Sequence, residues 1–322
     1  MFILAGNIMT RGSIAERLIA IIRALTQWLP GGLAVATILS CAVFAAISGS
    51  SPVTLLAVGS ILYPALLQEG YSKKFSLGAL ASGGTLGVVI PPSIPMILYA
   101  IATEKSISDL FLAGIIPGLM LAGVLSVYAL IANRKIRSEP FDFVQTIQAF
   151  RHGIFALMTP VILLGGIYSG FFSATEAAAI AVGYALLVEV FIHREIRITD
   201  FFSIAVDTAR LLGTLFPIIA IAISINLLLT AESVPQDFAA WMTTVVDNKI
   251  TFLIALNIFL LVIGCLIDIG SAILMLSGIL LPVAMAYGID PIHFGIIMVV
   301  NLEIGFITPP VGLNLIVAMT AF

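Results

Sequence analysis

The chain has 322 residues, 61% of them hydrophobic and only 10% charged, with a mean hydropathy of +1.18 and a net charge of −3. Soluble domains carry about 45–50% apolar and about 25% charged residues, so this composition excludes an ordinary soluble domain and defines an all-α polytopic membrane protein. The net charge says little about partners, and nothing points to nucleic acid; the charge asymmetry between loops is the informative quantity.

Residues 1–10 lack the basic start and small-residue cleavage site of a signal peptide. Residues 14–28 set Glu16, Arg17, Arg23 and Gln27 among aliphatics and read as an amphipathic interfacial helix. Residues 31–48 and 53–69 are two short apolar helices joined by Ser48-Gly49-Ser50-Ser51-Pro52, the pattern of a re-entrant hairpin. Residues 75–101 form a span interrupted by Gly83, Gly84, Gly87, Pro91, Pro92 and Pro95. Such a break is tolerated in a bilayer only when buried in protein or lining a cavity. Continuous spans follow at 110–132, 154–170, 176–192 and 204–229, and a second interfacial helix at 234–247. Residues 252–267 and 271–287 make a second hairpin, and 294–319 a second broken span. Cys41 and Cys265 lie in apolar helical stretches and read as packing residues. His152, His193 and His293 fall near span ends, which disfavours metal ligation.

The second hairpin and broken span repeat the first. Gly87-Val-Val-Ile-Pro91-Pro92 returns as Gly305-Phe-Ile-Thr-Pro309-Pro310, and Ile61, Leu62, Pro64 and Gly70 return as Ile279, Leu280, Pro282 and Gly288, all at an offset of 218 residues. Five crossings separate the hairpins, so the repeats are expected to be inverted. With the first hairpin entering from the cytoplasm, the inner segments hold Arg11, Arg17, Arg23, Lys73, Lys74, Arg134, Lys135, Arg137, Arg151, Arg194, Arg197 and Arg210, against only Lys105 and Lys249 outside. Twelve against two agrees with the positive-inside rule. Extending the offset places the counterpart of 110–132 near 328–350 and the counterparts of 154–192 ahead of Met1. The repeat therefore predicts a fragment short of helices at both ends. The expected organisation is one membrane core over 1–322: a transport region at 31–103, scaffold helices and an arm at 110–248, and a second transport region at 250–322.

Where a helix breaks inside the membrane, freed carbonyls and hydroxyls suit a hard cation such as sodium, and helix N-termini suit an anion. Ser48, Gly49, Ser50 and Ser51 are expected to face Gly84, Thr85, Gly87 and Pro91, while Asp268, Gly270 and Ser271 face Asn301, Gly305, Thr308 and Pro309. Ser93 and Asn314 sit on the half-helices and add hydrogen bonds. We assign Ser48, Gly49, Ser50, Gly84, Gly87, Pro91, Asp268, Gly270, Ser271, Gly305 and Thr308 to sodium. Ser51, Thr85, Ser93, Asn301 and Asn314 go to the substrate. Glu303 has two readings, a functional intramembrane acid or a structural one bonded to helix ends. Glu176 and Glu189 read as interfacial, with snorkelling side chains. No nucleotide-binding or hydrolytic motif is present.

Phe44-Ala-Ala-Ile-Ser-Gly-Ser-Ser51, Gly83-Gly-Thr-Leu-Gly-Val-Val-Ile-Pro-Pro-Ser93, Leu110-Phe-Leu-Ala-Gly-Ile-Ile-Pro-Gly118, Thr175-Glu-Ala-Ala178 and Gly305-Phe-Ile-Thr-Pro-Pro-Val-Gly312 resemble the large membrane subunit of tripartite ATP-independent periplasmic (TRAP) transporters. The resemblance runs through essentially the whole chain. It implies an elevator-type, sodium-driven uptake system of a bacterial or archaeal inner membrane. Such a system works with a small membrane subunit and receives an organic acid from a periplasmic binding protein. Asn301-Leu-Glu-Ile-Gly305, Pro309-Pro-Val-Gly-Leu-Asn314 and Ser51-Pro-Val-Thr-Leu-Leu56 look most like the C4-dicarboxylate branch. Related branches carry sialic acid, other sugar acids or ectoine. A binding-protein-independent sodium/dicarboxylate carrier, a channel, an intramembrane aspartyl protease and a non-transporting fragment are the alternatives.

Overall fold

The computed structural model describes residues 1–322 except Arg137 and Glu139, and the side chain of Ile198. Arg137, one of the twelve inner cations, thus lies outside the described residues. Fifteen α-helices and one π-helical turn account for the described secondary structure, with no strand among the described residues. Eight segments among them are long and apolar enough to cross a membrane.

Helix α1 (Phe2–Arg11) and helix α2 (Ile14–Thr26) meet at a corner, and α2 buries Leu18, Ile21 and Ala24 on one face. Helices α3 (Gly32–Ser48) and α4 (Ser51–Gln68) are joined by two residues. Helices α5 (Lys73–Val89) and α6 (Ile94–Thr103) form the first broken span, most of which is buried. That burial meets the requirement for irregular backbone at membrane depth. The long helices α7 (Ile107–Ala132), α8 (Phe143–Tyr168) and α9 (Ala174–Leu186) follow. A π-helical turn, Leu187–Ile192, then leads to α10 (Ile198–Ala231), the least enclosed of the spans. Helix α11 (Val234–Val245) precedes the second hairpin, α12 (Lys249–Leu266) and α13 (Ile269–Ala286), and the second broken span, α14 (Pro291–Phe306) and α15 (Leu313–Ala321).

Element boundaries carry the 218-residue offset closely. Adding 218 to both ends of α4 gives the ends of α13, and α5 and α6 land within one residue of α14 and α15. The helix stops recur too. Gly70 and Gly288 both have positive φ, at 87° and 67°. Tyr71 N donates to Leu66 O at 3.0 Å, and Ile289 N donates to Ala284 O at 3.0 Å. A left-handed glycine with this reach-back bond satisfies the last carbonyls of a helix. Ser72 and Asp290 then cap α5 and α14. The peptide bonds Pro91–Pro92 and Pro309–Pro310 are both cis.

Three of the cations that charge counting places on the inner face tie separate elements together. Arg11 pairs with Asp207, Arg23 with Glu69 at 3.0 Å, and Arg17 donates to the His152 carbonyl at 3.1 Å. Around the second repeat Lys249 donates to Gly288 O, and Tyr99 to Pro291 O. The repeats interlock: α6 packs on α13, α15 on α4, and α14 on α5.

Candidate transport site

The first tip is tightly built. Gly49 turns the chain with φ +62°, and its carbonyl accepts a hydrogen bond from Ile94 N at 3.1 Å, just past the break. A side chain there would be strained and would meet Pro92 O at 2.8 Å. Ser48 Oγ and Thr54 Oγ1 are 2.6 Å apart and share a proton. A methyl on Gly87 would lie 2.6 Å from Ser50 O and 2.6 Å from Thr54 Oγ1, and one on Gly84 would lie 3.3 Å from Ser51 O. Those two glycines are what lets the tip sit against α5. The fold thus brings Ser48, Gly49, Ser50, Ser51, Gly84 and Gly87 together, with Pro91 buried in the same break. Thr85 instead bonds back to Ser82 O within its own helix, and Ser93 caps α6 by accepting from Met96 N at 3.3 Å.

The second tip follows the plan less closely. Gly312 N, which corresponds to Ile94, donates to Cys265 O at 3.3 Å, so the break again touches its hairpin. Asp268 caps α13, accepting from Ser271 N at 3.0 Å and Ser271 Oγ at 3.2 Å, beside Gly270. Gly305 packs one turn earlier, where a methyl would lie 2.7 Å from the Gly264 backbone and from Leu261 O. Asn301 bonds back to Ile297 O, and Thr308, exposed along with Pro309, bonds back to Ile304 O. Asn314 reaches the other repeat: its Nδ2 donates to Ser51 Oγ at 2.6 Å and to Ala81 O at 3.3 Å.

Both tips open on one cavity of about 160 Å³. Ser50 and Ser51 line one side, Asp268 and Gly270 the other, and Leu211 and Leu215 of α10 close it. Drug-sized pockets run from about 300 Å³ upward, so this one suits a smaller molecule. No basic side chain lines it. Its polar groups are unequal. Helix α4 begins at the wall with a serine N-cap that makes no side-chain cap bond; Pro52 has no N–H, so Ser51 N and Val53 N are the uncapped first-turn amides at this positive helix end. Helix α13 begins there already capped by a carboxylate. The α4 N-terminus favours an anion on the cavity wall, and the Asp268 carboxylate favours a cation opposite it.

Sequence reasoning placed Glu189 at an interface, and the structure corrects this. Its side chain is fully buried, and Oε1 accepts from Ile14 N at 2.9 Å, capping α2 across the corner. The π turn and a neighbouring His193, whose imidazole burial and the Arg17 guanidinium hold below its ordinary range, complete that junction. Glu176 does sit at a helix start, in a capping box with Ser173. Leu211 and Leu215 escaped notice because aliphatics on a long apolar helix carry no signal.

Membrane-spanning helices around two broken spans, with one cavity shared by both hairpin tips, are the architecture of a multi-pass membrane transport protein. The chain belongs to the tripartite ATP-independent periplasmic transporter family, DctM component, which it matches over residues 1–321. It is 45% identical to the C4-dicarboxylate TRAP transporter large permease protein DctM of Pseudomonas aeruginosa, over 98% of this chain and 75% of that protein. It is 42% identical to the isethionate TRAP transporter permease protein DctMQ of Oleidesulfovibrio alaskensis, over 98% and 51%. It is 38% identical to the ectoine TRAP transporter large permease protein TeaC of Halomonas elongata, over 100% and 76%. These relatives are transport permeases, not enzymes, and the family with its apolar spans places the chain in the inner membrane as a multi-pass protein.

Proposed function

We propose that this permease imports a C4-dicarboxylate, driven by a sodium gradient, after delivery by a periplasmic binding protein and in complex with a small membrane subunit. The observation that carries the reading is the single cavity walled by both hairpin tips, with open helix amides on one side and Asp268 on the other. Sodium ions at the two tip-and-break sites offset Asp268 and order the hairpins. A substrate carboxylate then docks on the α4 N-terminus. The hairpins and broken helices move as one body, elevator fashion, against the continuous helices. The identity to a relative named for C4-dicarboxylate supports that substrate class.

The test is uptake of labelled succinate by the complete complex in liposomes. Uptake should require both an inward sodium gradient and the binding protein. Uptake indifferent to sodium, uptake without the binding protein, or ectoine or isethionate displacing succinate as the better substrate would each overturn part of the reading. Within it, Asp268→Asn keeps an acceptor for Ser271 N but removes the charge, so sodium dependence should weaken with little loss of thermal stability. Asp268→Ala should also lose about 1 kcal/mol of helix capping. Equal behaviour of the two variants in sodium titrations and melting would reduce Asp268 to a cap.

A further inference from the structure

Three buried oxygens lack any hydrogen-bond partner at one place. They are Glu303 Oε1, Glu303 Oε2 and Asn314 Oδ1, on side chains 1% and 0% exposed. The two residues stand on the two arms of the second broken span, α14 and α15. Both meet Ser51, the first residue of α4 in the other repeat. Asn314 Nδ2 donates to its Oγ at 2.6 Å, and the Glu303 carboxyl lies beside the same hydroxyl.

Counting donors shows what is missing. Asn314 Nδ2 is spent on Ser51 and Ala81. Ser51 Oγ, having accepted one bond, has a single proton to give. Three acceptors therefore face at most one donor. The nearby charge, Asp268, is also negative. A buried carboxylate with no counter-charge costs several kcal/mol even after relaxation, so the cluster is short of one positive charge.

We propose that Glu303, Asn314 and Ser51 form a buried monovalent-cation site, filled by a proton or a sodium ion, that ties the second broken span to the first hairpin. It shares Ser51 with the first tip but differs from the two tip-and-break sites in drawing its ligands from both repeats. Ser51 also lines the cavity, so loading the site fixes one wall of the substrate chamber. This extends the transport reading and rests on it for its link to uptake, but not for the occupancy itself.

The experiment uses the complete complex in lipid nanodiscs, wild type against Glu303→Gln, with Asn314→Asp as a second folded variant. Infrared spectra report protonated carboxyls, and thermal melting reports sodium binding. A proton at the site predicts a protonated-carboxyl band that vanishes in Glu303→Gln and titrates with pH. A sodium ion predicts no such band and a sodium midpoint shifted tenfold or more by Glu303→Gln, about 1.4 kcal/mol of binding. Either result supports the site. Asn314→Asp replaces the amide that donates to Ser51 and Ala81 by a second carboxylate, and should shift the sodium midpoint or the carboxyl band away from wild type. No carboxyl band and an unchanged sodium midpoint in both variants would overturn the proposal. Sodium-independent uptake by a wild type that still shows the Glu303 band would sink the transport reading alone.

Discussion

Replacing Gly87 by alanine should cut uptake by about 100-fold, the loss that a misplacement of about 1 Å inflicts on a positioned site. The added methyl would lie 2.6 Å from Ser50 O and from Thr54 Oγ1, and 2.9 Å from the Ser50 carbonyl carbon. Two of those atoms are backbone, so no side-chain rotation relieves the overlap, and the hairpin tip has to retreat from α5. Overpacking of this kind costs about 1–3 kcal/mol, which a helical membrane protein can survive folded while its site is spoiled. The matched control is Gly123→Ala in α7, where nothing lies within 4 Å of the new carbon. There the change should stabilise the helix by about 0.8–1.0 kcal/mol at most and leave uptake intact. Uptake by Gly87→Ala equal to that of the control would show that the tip is not held against α5.

Removing the Glu189 side chain is expected to lower stability by about 1–3 kcal/mol, the cost of leaving a buried amide donor unsatisfied. Ile14 N would lose its acceptor, and Ser13 and His193 would lose their neighbour. Glu189→Gln keeps a carbonyl acceptor and should cost less. Gly12 provides a sharper test. A methyl on it would fall on the Glu189 carboxyl itself, so Gly12→Ala should displace that carboxyl and cost about as much as losing its bond to Ile14 N. Combined with Glu189→Ala, the methyl enters vacated space, and the double variant should be far better than the sum of the two. Melting temperatures of the four proteins give the coupling, which for residues in contact runs about 0.5–3 kcal/mol. Additive losses would mean that the corner is held by other contacts.

The helix breakers made much of this fold legible. Glycine and proline act locally, so a repeat of Gly87, Pro91 and Pro92 as Gly305, Pro309 and Pro310 places the same breaks wherever the chain goes. The hairpin tips and the close approach of Gly84 and Gly87 followed from the same logic. Contacts distant in sequence were not legible. Glu189 lies in an apolar run ahead of a charged loop, as an interfacial acid would; what buries it is a helix start 175 residues away. No spacing announces that the Asn314 amide crosses 263 residues to Ser51. Asn301, Thr85 and Thr308 have side chains that also fit their own helix carbonyls, and here those local bonds are made. Helix α1 was overlooked because ten residues are too few to announce a span.

The chamber between the two tips is one volume, not two. On the proposed transport reading, a substrate held by the first tip occupies the space in front of the second, so the permease is expected to carry a single passenger per journey. Two different substrates must then exclude each other fully. In mixtures, each will raise the apparent KM of the other without touching its maximal rate, and no concentration of either will leave a residual uninhibited flux.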